Sequence, residues 1–329
     1  MNKLGPHCLR ATSAGAEWAR KANVVKQLDG TNILAIASPG AVRVFRKYFP
    51  YQDQQASMGG RAIAQDIIAG LGGYRHPRLY VEIFNEWRQH LPELESHVKL
   101  VAEATEVLHE AELKVTGFSF STGNPEPEDW AYLQAMGFAG VDAIAIHEYW
   151  ATQGFSTWNA LRYRRVHQWL KGKHPPFLIT ECGRDAIKEE GGKGRPGWKA
   201  QDVSAEAYVE ELKAYDRELC RDEYVLGGVV FTSGPWADFA AFDTDDLVKM
   251  IPAATSTNSI QEVPAMALKD QFPELFHQWE AAGGVENNFR KHLLGIGALK
   301  PTPDDLKFLA GEVQASAAQL KGALDRYPF

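Results

Sequence analysis

Eight short runs of apolar, β-prone residues recur along the 329-residue chain, and helical patterns stand between most of them. They fall at 5–9, 22–29, 41–46, 80–86, 114–120, 141–147, 176–181 and 227–232. Most are apolar at successive positions instead of alternating. Strands covered on both faces look like this, and a parallel sheet under helices covers both faces. A strand–helix unit repeated eight times predicts an α/β chain folded as a (β/α)₈ TIM barrel. The competing solution is a doubly wound open sheet, but no Gly-rich phosphate turn follows the first run.

The intervening patterns are helical by period. A short helix is expected around Ala14–Arg20, and only a compact connection fits between Thr31 and Ala37. A helix through Ile63, Ile67 and Leu71 ends at Gly72-Gly73, as C-terminal glycines direct. Leu94, Val98, Val101, Thr105 and Leu108 share one helical face. Pro127-Glu128-Asp129 opens the next helix with Pro and acids in its first turn. Trp158, Leu161, Arg165 and Trp169 fall at helical spacing, as do Tyr208, Leu212, Tyr215 and Leu219. Past Trp236 the alternation stops. A loop is expected over 243–263, then helices over 270–282 and from Pro303 to Leu324. The chain therefore divides into a barrel over 1–245 and a C-terminal part over 246–329, the eighth barrel helix plus a helical extension.

Composition narrows the function classes. The net charge is −7, and no Lys/Arg block invites a nucleic-acid backbone or an anionic membrane. No run is long enough to span a bilayer, and the start lacks the apolar run of a signal peptide, so a soluble chain, cytoplasmic or released, is expected. Cys8, Cys182 and Cys220 match neither a zinc pattern nor a disulfide framework and are expected as buried free thiols. Nine Trp among 11% aromatic residues are a good supply of flat faces for sugars. Oligomeric state leaves no signature.

In a barrel the reacting groups sit at the C-terminal ends of strands. Those ends bring forward His7, Asp29, Arg43, Asn85-Glu86, Ser121, His147 with Tyr149, Glu181 and Trp236. The set is polar, aromatic and doubly acidic. Two carboxylates on separate strands are what glycosidic cleavage requires: one protonates the leaving oxygen, the other attacks the anomeric carbon or activates water.

These motifs resemble the clan A glycoside hydrolases, retaining (β/α)₈-barrel glycosidases. Asn85-Glu86 is similar to their strand-four acid/base motif, and Thr180-Glu181-Cys182-Gly183 to their strand-seven nucleophile motif. His147-Glu148-Tyr149 resembles their His-x-Tyr element and Trp236 their sugar platform. The resemblance covers residues 4–240. It implies a retaining hydrolase of β-glycosidic bonds in a poly- or oligosaccharide, with no cofactor and no metal. Glu86 would be the acid and then the base, and Glu181 the nucleophile. Asn85 would bind the sugar 2-hydroxyl, Tyr149 would orient Glu181, and His147, His7 and Trp236 would line the cleft. Glu181 must stay charged, which asks for a nearby cation. Arg43 is preferred for its planar fork and Lys26 is second.

The sequence departs from the resembled pattern at Trp87, where many relatives carry Pro, and it has no unambiguous counterpart of their strand-two or strand-three Arg. Glu148 is a third acid nearby, expected to point away. Tyr51, Trp150 and Trp158 are secondary candidates for subsites. Two other functions compete: a catalytically silent barrel that binds glycans, and a metal-dependent barrel hydrolase using His7, His147 and a carboxylate. The latter lacks a tight metal-ligand spacing.

Overall fold

The computed structural model describes residues 1–151, 154–185 and 196–254. The expected helices over 270–282 and 303–324 lie outside these residues. Eight parallel strands close into a barrel in sequence order, with β8 pairing back onto β1. They are β1 (Leu4–Cys8), β2 (Val24–Leu28), β3 (Val42–Arg46), β4 (Leu79–Glu82), β5 (Lys114–Phe120), β6 (Ala143–Trp150), β7 (Phe177–Arg184) and β8 (Val225–Ser233). Around them run α1 (Ser13–Lys21), α2 (Asn32–Ile36), α3 (Gln52–Ala56), α4 (Gly60–Gly70), α5 (Glu93–Glu110), α6 (Pro127–Ala135), α7 (Arg162–Trp169) and α8 (Ala205–Cys220).

Local chemistry sets the helix starts. Thr12 and Ser204 cap α1 and α8 by accepting the Gly15 and Ala207 N–H groups. Pro127 opens α6, where Glu126 and Asp129 form a reciprocal capping box. No described helix is long and apolar enough to cross a membrane.

Three boundaries differ from the sequence pattern. β4 ends at Glu82, four residues short of Glu86, whereas β6 extends beyond His147 to Trp150. Trp158 and Leu161 precede α7, and Trp158 is 60% exposed. Its periodicity with Arg165 reflects a guanidinium lying over the indole face, 3.6 Å from the ring centre. The three thiols are free as expected, but Cys220 is exposed.

Strand parity builds the interior in layers. Val24, Val42, Val44, Tyr80, Ala143, Leu178 and Val229 form one buried apolar cluster. Two residues along the same faces, β2, β3 and β4 present Lys26, Arg46 and Glu82, all buried. The apolar floor thus gives way to a charged layer at the C-terminal end. On β7 the pairing runs Ile146↔Ile179 and then His147↔Glu181, so Thr180 is an extra residue. This bulge turns Glu181 onto the face of His147.

Candidate active site

Glu181 sits at the centre of the charged layer. Tyr149 donates its hydroxyl to Oε2 at 2.9 Å, and Arg46 Nη1 donates to Oε1 at 3.1 Å. Lys26 Nζ is 3.6 Å and His7 Nδ1 3.9 Å from Oε1. Burial alone would raise the Glu181 carboxyl. His147, Lys26 and Arg46 outweigh it and hold the group well below the usual carboxylate range.

Glu86 approaches from the other side. It follows β4 in an irregular segment whose backbone alternates into the left-handed region, at Phe84 (φ 58°), Glu86 (φ 51°) and Arg88 (φ 42°). Non-glycine residues rarely adopt such φ values. The Glu86 N–H donates to the Ser119 carbonyl at 3.1 Å. Its carboxylate Oε1 lies 2.7 Å from Nδ1 of His147, and the same nitrogen is 3.6 Å from Oε2 of Glu181. One imidazole therefore stands between the two acids. Burial would lower His147, but Glu181, Glu82 and Glu86 raise it to about 9.

Beneath this pair lies a second ionic unit. Lys26 Nζ is 2.6 Å from Oε2 of Glu82, and both side chains are fully buried. Lys26 also donates to the Thr180 carbonyl at 3.0 Å, at the bulge that aims Glu181. Ser119 donates to Oε1 of Glu82 at 2.7 Å. Desolvation opposes ionisation of Glu82, yet Lys26 and His147 keep its carboxyl well below the ordinary range. Burial lowers Lys26, against the pull of Glu82 and Glu181.

The structure brings Glu86, Glu181, His147, Tyr149 and Asn85 together; Asn85 Oδ1 accepts from Arg46. Trp236 lies at the mouth, edge-on to Tyr48 at 5.5 Å. His7 adjoins Glu181 and is fully buried, edge-on to Phe231. Arg43 is a correction. Its guanidinium donates to the carbonyls of Leu34, Ala37, Ser38 and Ala41, away from Glu181. The cation from β3 is Arg46, three positions on and therefore on the opposite strand face. Glu148 points outward as expected. It accepts from the Tyr215 hydroxyl and the Tyr163 N–H, and burial pushes it up to about 8.

Sequence reasoning missed Arg46, Glu82 and Ser119. For Arg46 and Glu82 the signal was available: each lies two residues past an inward apolar residue near the end of its strand. A cleft of about 660 Å³ opens beside the acids, walled by Tyr48, Tyr51, Gln52 and Trp87 and meeting them through Arg46 and Asn85.

No protein-family model matches the sequence, and no curated protein matches it. Solved structures do match the fold. The chain is similar to the Faecalibacterium prausnitzii β-glucuronidase at TM-score 0.50 and 14% identity, covering 78% of this chain and 50% of that one. An endo-β-1,3-glucanase (GH128, subgroup I) of Amycolatopsis mediterranei, solved with laminaritriose, matches at TM-score 0.46 and 14% identity, covering 74% and 92%. A xyloglucan-specific endo-β-1,4-glucanase (GH5) from a metagenomic library matches at TM-score 0.48 and 16% identity, covering 72% and 84%. What these likenesses share with this chain is the fold, a closed (β/α)₈ barrel.

Proposed function

We propose that this chain is a retaining glycoside hydrolase that cleaves β-glycosidic bonds of a poly- or oligosaccharide, with Glu181 as nucleophile and Glu86 as acid/base. The observation that carries the reading is the single His147 nitrogen held 2.7 Å from Glu86 and 3.6 Å from Glu181. Those two legs limit the separation of the carboxylate oxygens concerned to about 6.3 Å. Retaining pairs stand about 5–5.5 Å apart, and inverting pairs, which must admit a water, roughly 6.5–9.5 Å.

The electrostatics support the division of roles. Glu181 is kept charged by three cations, as a nucleophile needs, while its Tyr149 and Arg46 bonds fix the orientation of the carboxylate. Each oxygen keeps a lone pair for the anomeric carbon. Glu86 is the more exposed of the two, with 38% of its side chain accessible against 9% for Glu181, as suits the group that meets the leaving oxygen. His147 is held protonated by the negative charge around it. When Glu181 bonds to the sugar that charge is spent, His147 becomes more acidic, and the proton it shares with Glu86 is released toward the leaving oxygen. In this reading Asn85 and Trp236 hold the sugar. The test is turnover of a polysaccharide panel (laminarin, mixed-linkage glucan, xyloglucan and peptidoglycan) by the wild type beside Glu181→Gln and Glu86→Gln. Both substitutions are expected to remove hydrolysis that the wild type performs, and full turnover by either refutes the assignment.

A further inference from the structure

The segment that carries Glu86 has no regular ladder of its own, so what fixes its conformation must come from elsewhere. Besides the Ser119 carbonyl on the Glu86 N–H and Ser96 on Arg88, two adjacent residues of α3 hold it. Gln52 grips both polar groups of one peptide residue: its Oε1 accepts the Asn85 N–H at 2.6 Å, and its Nε2 donates to the Asn85 carbonyl at 2.8 Å. Asp53 grips the far side of Glu86, since its Oδ1 accepts from the Trp87 indole at 2.9 Å and from Arg88 Nη2 at 3.1 Å. Trp87 is locked in turn by edge-on contacts with Phe84 and His97 at 5.1 and 5.2 Å. Gln52 and Asp53 thus bracket Glu86, the residue at φ 51°, on both sides. This is the point at which Trp87 departs from the resembled motif.

We propose that Gln52 is a positioning residue for the acid/base, and that Gln52 and Asp53 together form a clip that keeps the Glu86 carboxylate on His147. The inference rests on the function proposed above. Neither residue needs to touch the reacting atoms. Gln52 fixes the peptide entering Glu86, and Asp53 fixes the side chains leaving it. Both also wall the 660 Å³ cleft beside the acids. A misplaced catalytic group of about 1 Å costs on the order of 100-fold in rate, so loss of the clip falls on the step that needs Glu86.

The test compares Gln52→Ala, Gln52→Glu and Asp53→Ala with the wild type on phenyl and 2,4-dinitrophenyl β-cellobioside. The dinitrophenolate leaves without a proton, whereas the phenolate needs one. Gln52→Ala is expected to lower kcat/KM, which reports glycosylation alone, about 10- to 100-fold on the phenyl substrate and less than about threefold on the dinitrophenyl substrate. Gln52→Glu keeps the acceptor and loses the donor, so it is expected to fall between. Equal losses on both substrates overturn the proposal. A second readout needs no turnover: ¹⁵N NMR titration of His147, whose imidazolium is expected to become more acidic in Gln52→Ala as Glu86 drifts away. An unchanged titration overturns the proposal. If the wild type cleaves neither glycoside nor any polysaccharide, the function above fails, and the NMR titration alone decides whether the clip exists.

Discussion

Oε1 of Glu86 lies 2.7 Å from Nδ1 of His147, an imidazole that is 1% exposed. The contact is a charge-assisted bond inside a ring of carboxylates, and it makes the protonation of His147 a property of the folded state. Its ordinary value of 6.5 is raised to about 9, so the favourable energy is complete below about pH 6.5 and is lost as the pH climbs through about 9. The wild type is expected to lose up to about 3 kcal/mol of stability across that window, and His147→Gln to flatten the loss. Urea midpoints between pH 6 and pH 10 check this. A parallel decline in both proteins contradicts it.

The two arginines of β3 are predicted to separate cleanly. Arg46→Ala removes a direct partner of Glu181 and Asn85, and kcat is expected to fall about 100-fold with little change in melting temperature. Arg43→Ala strips donors from a bundle of backbone carbonyls and is expected to cost about 2–3 kcal/mol of stability with kcat retained. Steady-state kinetics and thermal melts on both variants make the comparison.

Lys26 and Glu82 are a buried ion pair, and breaking one side leaves a charge without a partner. Lys26→Met is expected to destabilise the fold by about 3–5 kcal/mol, and adding Glu82→Gln to recover a good part of it. The same lysine lies 3.6 Å from Glu181. Its removal is therefore also expected to raise the Glu181 carboxyl and move the acid limb of kcat/KM to higher pH. Denaturation of the two single variants and the double variant, with pH–rate profiles on Lys26→Met, tests both effects.

Much of this was legible before any coordinates. Continuous apolar runs marked all eight strands because burial on both faces leaves no room for polar alternation, and Lys114–Phe120 matched to the residue. Helix starts such as Pro127 carried their own chemistry. What stayed hidden depended on faces and irregularities. Arg43 and Arg46 are chemically alike, and only strand parity sends one outward and the other to Glu181. Thr180 leaves no mark of being a bulge, although without it parity would turn Glu181 away from His147. Glu82 shows its inward parity in the sequence but not its partner, since Lys26 is 56 positions earlier and meets it from β2, on the far side of β3. The clip from Gln52 is a long-range contact of the same kind.

The most direct measurement is a covalent one. With the hydrolase proposed above, a 2-deoxy-2-fluoro glycoside of its substrate sugar slows release of the glycosyl-enzyme more than its formation, so the adduct accumulates and can be mapped by peptide mass spectrometry. The account predicts one fluorosugar on the peptide that carries Glu181, and no adduct in Glu181→Gln. A label on a different residue, or turnover of the natural substrate with inverted anomeric configuration, would contradict it.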